Sequence, residues 1–245
     1  MVLQRGRWCG ICGTVAINSV KDADIVMSTG EMQKEMLTVR LWLRRKISIC
    51  LYGRIRTEVL KFRPELLFIP VLLPIFLLKI EDADVWRTEA WEMIRQRSDL
   101  HFLMITKRIN SVMECLPVDW KDGYDNVTIC CTVENQLCAD NRLPVYRAIP
   151  IKHKIIICEP LLEEISLDAY NIGEWVEQVV AGESGYEARI CNFDWIMKLH
   201  DICVKNNVSF WFKQTGSKFV KEGTLYTVKR QFQHSQARKA GINFK

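Results

Sequence analysis

The sequence predicts an α/β fold built on a parallel sheet. After about residue 81, five short and nearly all-apolar runs begin 22 to 32 residues apart, a spacing that suits one strand and one crossover per unit. Strands buried on both faces, as in parallel sheets, have such continuous apolar runs. The chain has 245 residues, 49% of them hydrophobic, which excludes disordered and low-complexity classes and suffices for one large or two small domains.

The elements follow in a regular order. A helix is predicted from Asp84 to Arg97, with apolar residues at Trp86, Ala90 and Ile94. The five predicted strands are residues 102–105, 128–133, 155–158, 177–181 and 209–212, and the further predicted helices are residues 107–116, 136–148 and 193–206.

Residues 1–78 show no comparable order. Residues 66–78 form an apolar run that is interrupted by Pro70 and Pro74. A membrane span needs roughly 20 apolar residues, and internal prolines oppose a helix. We therefore expect an irregular segment at 1–78, a β/α domain at 79–245, and no membrane association.

The cysteines and charges indicate an unremarkable cytoplasmic protein. Ten cysteines, several of them in apolar runs, favour reduced thiols over disulfides. Cys9 and Cys12 form a lone C-x-x-C pair, and the four histidines are scattered, so no metal site is predicted. A net charge of +5 does not by itself indicate nucleic-acid binding. The basic residues of 221–245 are interpreted as a solvated face, with a phosphate contact as the alternative.

Polar side chains follow every predicted strand. Because ligands bind at the carboxyl ends of parallel strands, these residues predict a pocket of mixed charge. The glycines at 182 and 185 allow a tight turn and close backbone approach to a ligand. Ser184 is not a hydrolase nucleophile, because Tyr186 stands where that motif needs a second glycine. The candidate pocket residues are Lys107, Arg108, Glu134, Asn135, Glu159, Lys213 and Gln214, and the candidate cofactor-binding residues are Gly182, Glu183, Ser184 and Gly185.

Six motifs lie in the second part of the chain. They are FLMITKR at 102–108, TVENQ at 132–136, AD at 139–140 with RLP at 142–144, CEPLL at 158–162, AGESG at 181–185 and FKQ at 212–214. In their order and spacing these motifs resemble an uncharacterised phage and bacterial family, sometimes called the three-Cys-motif family. The resemblance covers about residues 81–245, with Ala181 in place of the usual glycine.

The resemblance implies a partial β/α barrel, similar to a TIM barrel and to the radical S-adenosylmethionine enzymes. In the intact family, three N-terminal cysteines would hold a [4Fe–4S] cluster that binds S-adenosylmethionine. Cys9, Cys12 and Cys50 lack that spacing, so we expect no cofactor in this chain and no proper N-terminal strands. The pocket carboxylates would bind a polar substrate or the amino and ribose groups of the cofactor. Lys213 and Arg108 would bind an anion.

A shifted reading frame would explain the missing motif. If the third base of each codon is read with the first two of the next, Ala16, Ala23 and Val26 can each yield a preceding cysteine. These cysteines have the family spacing, with six and then two residues between them. Our hypothesis is that residues up to about 78 are translated out of frame. A genuine divergent N-terminus is the alternative.

Two functions are therefore expected. The first is a radical S-adenosylmethionine-like iron–sulfur enzyme of which this copy is inactive, acting on a small polar substrate with a three-Cys-motif partner protein. The second is a non-catalytic module that binds nucleic acid or a phage partner.

Overall fold

A six-stranded parallel sheet organises the described part of the chain. In the computed structural model that part comprises residues 68–72, 83–184 and 188–245, which fall within one compact unit. The strands lie side by side in chain order, and every neighbouring pair is parallel. They are β1 (Phe68–Leu72), β2 (His101–Thr106), β3 (Val127–Thr132), β4 (His153–Cys158), β5 (Gln178–Glu183) and β7 (Ser209–Thr215). The predicted parallel α/β fold is confirmed.

The helices agree with the prediction at three places and differ at one. Helices α1 (Ala83–Gln96), α2 (Gln136–Ala148) and α3 (Phe193–Lys205) occupy the expected positions, and a short α4 (Gln233–Lys239) follows near the C-terminus. The α-helix predicted at 107–116 is wrong, because two 3-10 turns, Ile109–Ser111 and Met113–Cys115, replace it. The buried side chains there are Ile109, Val112 and Cys115. Their spacing of three residues fits the 3-10 repeat better than the α-helical one.

Helices α2 and α3 pack on one face of the sheet. Tyr146 on α2 donates a hydrogen bond to the carbonyl of Ile129 on β3, and its hydroxyl accepts one from the Ile155 N–H on β4 at 2.9 Å. Phe193 at the start of α3 lies against Phe212 of β7, with ring centroids 6.4 Å apart. Crossover connections between parallel strands are right-handed. When the strands lie in chain order, the crossover helices are therefore all placed on the same face of the sheet.

The opposite face of the sheet is also apolar. Leu103, Cys130, Ile155, Ile157 and Val180, from four adjacent strands, pack into one buried cluster, and Ile105 and Trp211 pack against it partly buried. Apolar packing on both faces explains why these strands read as continuous apolar runs rather than as alternating patterns.

A second, smaller sheet was not predicted. Strand β6 (Ile190–Asn192) pairs in parallel with β8 (Lys218–Lys221), which pairs antiparallel with β9 (Thr224–Thr227). Glu222 and Gly223 between β8 and β9 both have positive φ, 52° and 73°, as a type I′ hairpin turn requires. Since β6 and β8 follow β5 and β7 in the chain, this sheet lies beside the carboxyl ends of those strands.

The sheet has two differently formed edges. Strand β1 lies within the segment expected to be irregular and contains Pro70, which an edge strand tolerates because one of its sides needs no ladder hydrogen bonds. The rest of residues 1–78 lies outside the described residues. At the other edge, Phe244 pairs with Phe210 of β7, and α4 packs against the same strand. No described helix is long and apolar enough to cross a membrane.

Candidate functional site at the carboxyl edge of the sheet

Two lysines and two carboxylates lie along the carboxyl edge of the sheet. Lys107, Glu134 and Glu159 follow β2, β3 and β4, and Lys213 lies in the second half of β7. In each of these strands, an even number of positions separates the charged residue from an apolar residue on the face opposite the helices. Because side chains alternate between the two faces along a strand, all four charged residues lie on that same face, at the carboxyl edge. We call these four residues, together with Gln214 and Glu183, the strand-end site.

Glu134 lies between two cations. Lys107 Nζ is 2.6 Å from Glu134 Oε1, and Arg142 of α2 contacts Oε2. The Arg142 guanidinium also donates to the carbonyl of Thr132 at 2.6 Å. Burial by itself would raise the pKa of Glu134, but Lys107 and Arg142 together hold that pKa below its ordinary value. Glu134 is therefore ionised at neutral pH with both oxygens occupied.

Glu159 is held by the last strand of the sheet. Lys213 Nζ lies 2.9 Å from Glu159 Oε2, and Gln214 Nε2 donates to Oε1 at 2.7 Å. The Glu159 side chain is only 5% exposed. These contacts join β4 and β7 across the end of β5, so the edge forms a connected polar surface.

Glu183 differs from the other two carboxylates. It is fully buried, and its Oε1 accepts one hydrogen bond, of 3.2 Å, from Arg189. Its Oε2 is buried and has no hydrogen-bond partner in the described part of the chain. Burial is the main cause that raises the pKa of Glu183, Arg189 opposes it, and the negative charge of Glu159 adds to it. Glu183 is the one described carboxylate of this site that retains an unsatisfied oxygen.

Two glycines make room around Glu183. A Cβ at Gly216, where φ is +69°, would lie 2.9 Å from Glu183 Cγ. A Cβ at Gly182 would lie 2.6 Å from the carbonyl oxygen of Gln214, at a register shift between β5 and β7. Neither position can carry a larger residue without moving its neighbour. Buried Cys191 of β6 lies near the same carboxylates, and burial, followed by Glu183 and Glu159, raises the pKa of its thiol to about 12.

The structure brings together six of the predicted site residues, Lys107, Glu134, Glu159, Glu183, Lys213 and Gln214. Asn135 does not join them, because its side chain caps α2 by accepting the Cys138 N–H at 2.8 Å. Arg108 is exposed and has no ion pair with any described residue. Ser184 is half-buried, and Gly185 lies outside the described residues.

Sequence reasoning did not assign a site role to Arg142, Arg189, Cys191 or Gly216. Arg142 lies on a helix rather than at a strand end, but helical side chains lean towards the helix N-terminus. Because α2 starts at the carboxyl edge, this lean returns the Arg142 guanidinium to Glu134. A basic residue in the second turn of a crossover helix is the signal that would have indicated a partner for the carboxylate at the preceding strand end.

A family model described as "Protein of unknown function (DUF5131)" matches residues 18–243. The chain belongs to this family. No curated protein and no solved structure matches it. The prediction that the chain belongs to an uncharacterised family is therefore confirmed. The match also includes residues 18–67, which the structure does not describe.

Proposed function

We propose that this DUF5131 protein has the β/α scaffold of a radical S-adenosylmethionine-like iron–sulfur enzyme and binds a small zwitterionic ligand at the strand-end site. The observation that carries the proposal is the buried Oε2 of Glu183, which has no hydrogen-bond partner among the described residues, at an edge where Lys107 and Lys213 pair with Glu134 and Glu159. A buried carboxylate oxygen without a partner is costly, and a ligand amino or hydroxyl group would satisfy it.

The sheet topology supports a partial barrel as the scaffold. Six parallel strands in chain order, with α2 and α3 on one face and an apolar cluster on the other, are the arrangement of a β/α barrel segment. A doubly wound sheet would reverse its strand order. In a barrel the carboxyl ends of the strands form the ligand site, which is where the charged pairs lie.

The strand-end residues fit the amino-acid and ribose portions of S-adenosylmethionine. Glu183 would accept from the ligand amino group or a ribose hydroxyl, and Lys213 would contact its carboxylate while retaining Glu159. When bound next to a cluster in the intact family, this cofactor would supply a radical.

The iron–sulfur cluster itself does not fit the described residues. Among them no three His, Cys, Asp or Glu side chains form a group that could hold a metal. Burial raises the pKa of the thiols of Cys130, Cys131, Cys158 and Cys203, which disfavours the thiolate that a metal requires. Cys9, Cys12 and Cys50 lack the family spacing. We therefore propose that this copy is catalytically inactive but retains the ligand site.

Calorimetric titration of the intact chain with S-adenosylmethionine tests the ligand site. Binding is expected in the parent chain and at least tenfold weaker in Glu183→Gln. Glu174→Gln makes the same change at a carboxylate that is 61% exposed and should bind as the parent does. An absence of binding, or equal binding by both variants, would contradict the proposal.

The gene and the frame-corrected protein test the rest. The shifted-frame hypothesis requires T as the third base of codons 15, 22 and 25, before Ala16, Ala23 and Val26. A frame-corrected chain should bind iron and sulfide. A colourless, iron-free product would instead favour a non-catalytic binding module.

A further inference from the structure

The positive charge of the chain is concentrated near its C-terminus. Residues 213–245 contain eight Lys or Arg and a single acidic residue, Glu222, whereas residues 1–212 contain 26 basic and 28 acidic side chains. The modest net charge of +5 is therefore an average of a slightly acidic body and a strongly basic segment.

Six of these cations lie on exposed positions of consecutive elements. We define Lys218, Lys221, Lys229, Arg230, Arg238 and Lys239, all exposed, as the basic C-terminal surface. Lys218 and Lys221 lie on β8, and Arg238 and Lys239 lie on α4. Between these elements, Lys229 precedes a 3-10 turn, Arg230–Phe232, that begins with Arg230. Lys221 pairs with Glu222 at 3.8 Å, and the other five form no ion pair with a described residue. Five exposed cations on consecutive elements, without an ion pair to a described residue, favour an anionic partner.

Tertiary contacts hold this surface in place along the β7 edge of the sheet. His234 Nδ1 is 3.0 Å from the carbonyl oxygen of Lys213, and the Gln233 side chain donates to the carbonyl of Val228 at 3.3 Å. Phe244 exchanges backbone hydrogen bonds with Phe210. The cations therefore project from ordered structure and form a fixed arrangement of charges.

Exposed aromatic rings accompany the cations. Tyr226 on β9 is 49% exposed, and Phe232 in the 3-10 turn is 46% exposed. They flank Lys229 and Arg230 in the chain. Aromatic rings interleaved with cations are the combination that binds single-stranded nucleic acid, since bases stack on the rings while phosphates contact the cations.

We propose that the basic C-terminal surface binds single-stranded nucleic acid without sequence preference. A duplex offers its phosphates but keeps its bases stacked internally, so the rings of Tyr226 and Phe232 would contribute nothing to duplex binding. Surface charge and exposed rings would provide this binding, and neither depends on the ligand proposed for the strand-end site.

Fluorescence anisotropy with a labelled 20-nucleotide oligothymidylate tests the proposal on the full chain. In the double variant Lys229→Gln/Arg230→Gln, the slope of log affinity against log salt should become shallower by about 1.4, since each single-strand phosphate contact contributes about 0.7. Between about 50 and 200 mM salt, the parent should thus lose roughly sevenfold more affinity than the variant.

Two further variants distinguish phosphate contacts from base stacking and from a general effect of positive charge. Tyr226→Ala should weaken binding about tenfold with an unchanged salt slope, because it removes a stacking ring and no charge. The matched control Lys198→Gln/Lys205→Gln removes the same charge from exposed positions on α3 and should leave the slope as in the parent.

Three results would overturn the proposal. The first is no binding of the oligonucleotide at low salt, and the second is an equal change of slope in the two double variants. The third is binding of duplex DNA or polyglutamate as tight as that of the single strand, which would leave only a general attraction for anions.

Discussion

Replacing Glu134 by Gln should measure what the ion-pair centre of the strand-end site contributes to stability. The side chain of Glu134 is 8% exposed, and those of Lys107 and Arg142 are 54% and 20% exposed. Removing one partner of a buried pair costs roughly 3–5 kcal/mol. Lys107 returns to water and Arg142 keeps its bond to the Thr132 carbonyl, so the loss is smaller. We expect about 2 kcal/mol, close to one hydrogen bond between charged groups.

Urea unfolding followed by tryptophan fluorescence measures this loss as a lower midpoint at constant slope. For a chain of this size the same loss lowers Tm by about 4–8 °C. The control Glu174→Gln also removes a carboxylate paired with an arginine, Arg147, but in that pair the side chains are 61% and 45% exposed. Such a surface pair contributes about 0–1 kcal/mol.

The stability difference between the parent and Glu134→Gln should also depend on pH. The two cations lower the pKa of Glu134 in the folded state, so its contribution is complete above the unfolded value, about 4.3. It is lost as the pH falls through the lowered folded value. If Glu134→Gln lost no more stability than Glu174→Gln at neutral pH, or if the difference persisted at the lowest pH, the reasoning would be refuted.

Three further substitutions test other parts of the structure. Gly216→Ala should destabilise the protein by at least about 1 kcal/mol more than Gly223→Ala in urea unfolding, because both glycines have φ near +70° but only a Cβ at Gly216 would contact Glu183. Tyr146→Phe should cost about 2 kcal/mol in the same assay, since it leaves backbone groups of β3 and β4 unpaired in the core. Asn135→Ala should cost about 1 kcal/mol through loss of the α2 cap, with S-adenosylmethionine binding unchanged by calorimetry.

The controls for the last two use exposed residues of the same type. Tyr226→Phe and Asn110→Ala should each change stability by less than about 0.5 kcal/mol. Equal losses of stability in the two glycine variants would show that the close contact with Glu183 does not destabilise the protein. A Tyr146→Phe chain as stable as the parent would contradict the role of its hydroxyl. Loss of ligand binding in Asn135→Ala would assign Asn135 to the strand-end site after all.

The main sheet could be predicted because its signals are local. Each apolar run is long enough to mark a strand, and helix α2 begins after Asn135, a cap residue, so its predicted bounds match the structure. The β6–β8–β9 sheet could not be predicted in the same way. Ile190–Asn192 is too short to show alternation, and it becomes a strand only because β8 comes to lie beside it. Pairing between distant segments leaves little trace in either segment alone.

The strand-end site could likewise be predicted only in part. Its carboxylates and lysines could be identified from their positions after the strands, because parallel strands bring their carboxyl ends to one edge. The partners could not, since Arg142 reaches Glu134 from a helix and Gly216 is small because Glu183 lies against it. Asn135 shows the limit of the positional argument, as the residue after Glu134 serves the helix instead.

By itself the sequence determined the fold class, the order of the principal strands and helices, and which charged residues would lie at the carboxyl edge, because these follow from apolar periodicity and chain direction. Tertiary structure decided how the charges pair and where the basic C-terminal surface lies. It also left Glu183, of the three carboxylates, with an oxygen that no described residue satisfies. Pairing and burial depend on which side chains meet across the sheet. Contacts between residues far apart in the chain decide both, and the local sequence pattern does not encode such contacts.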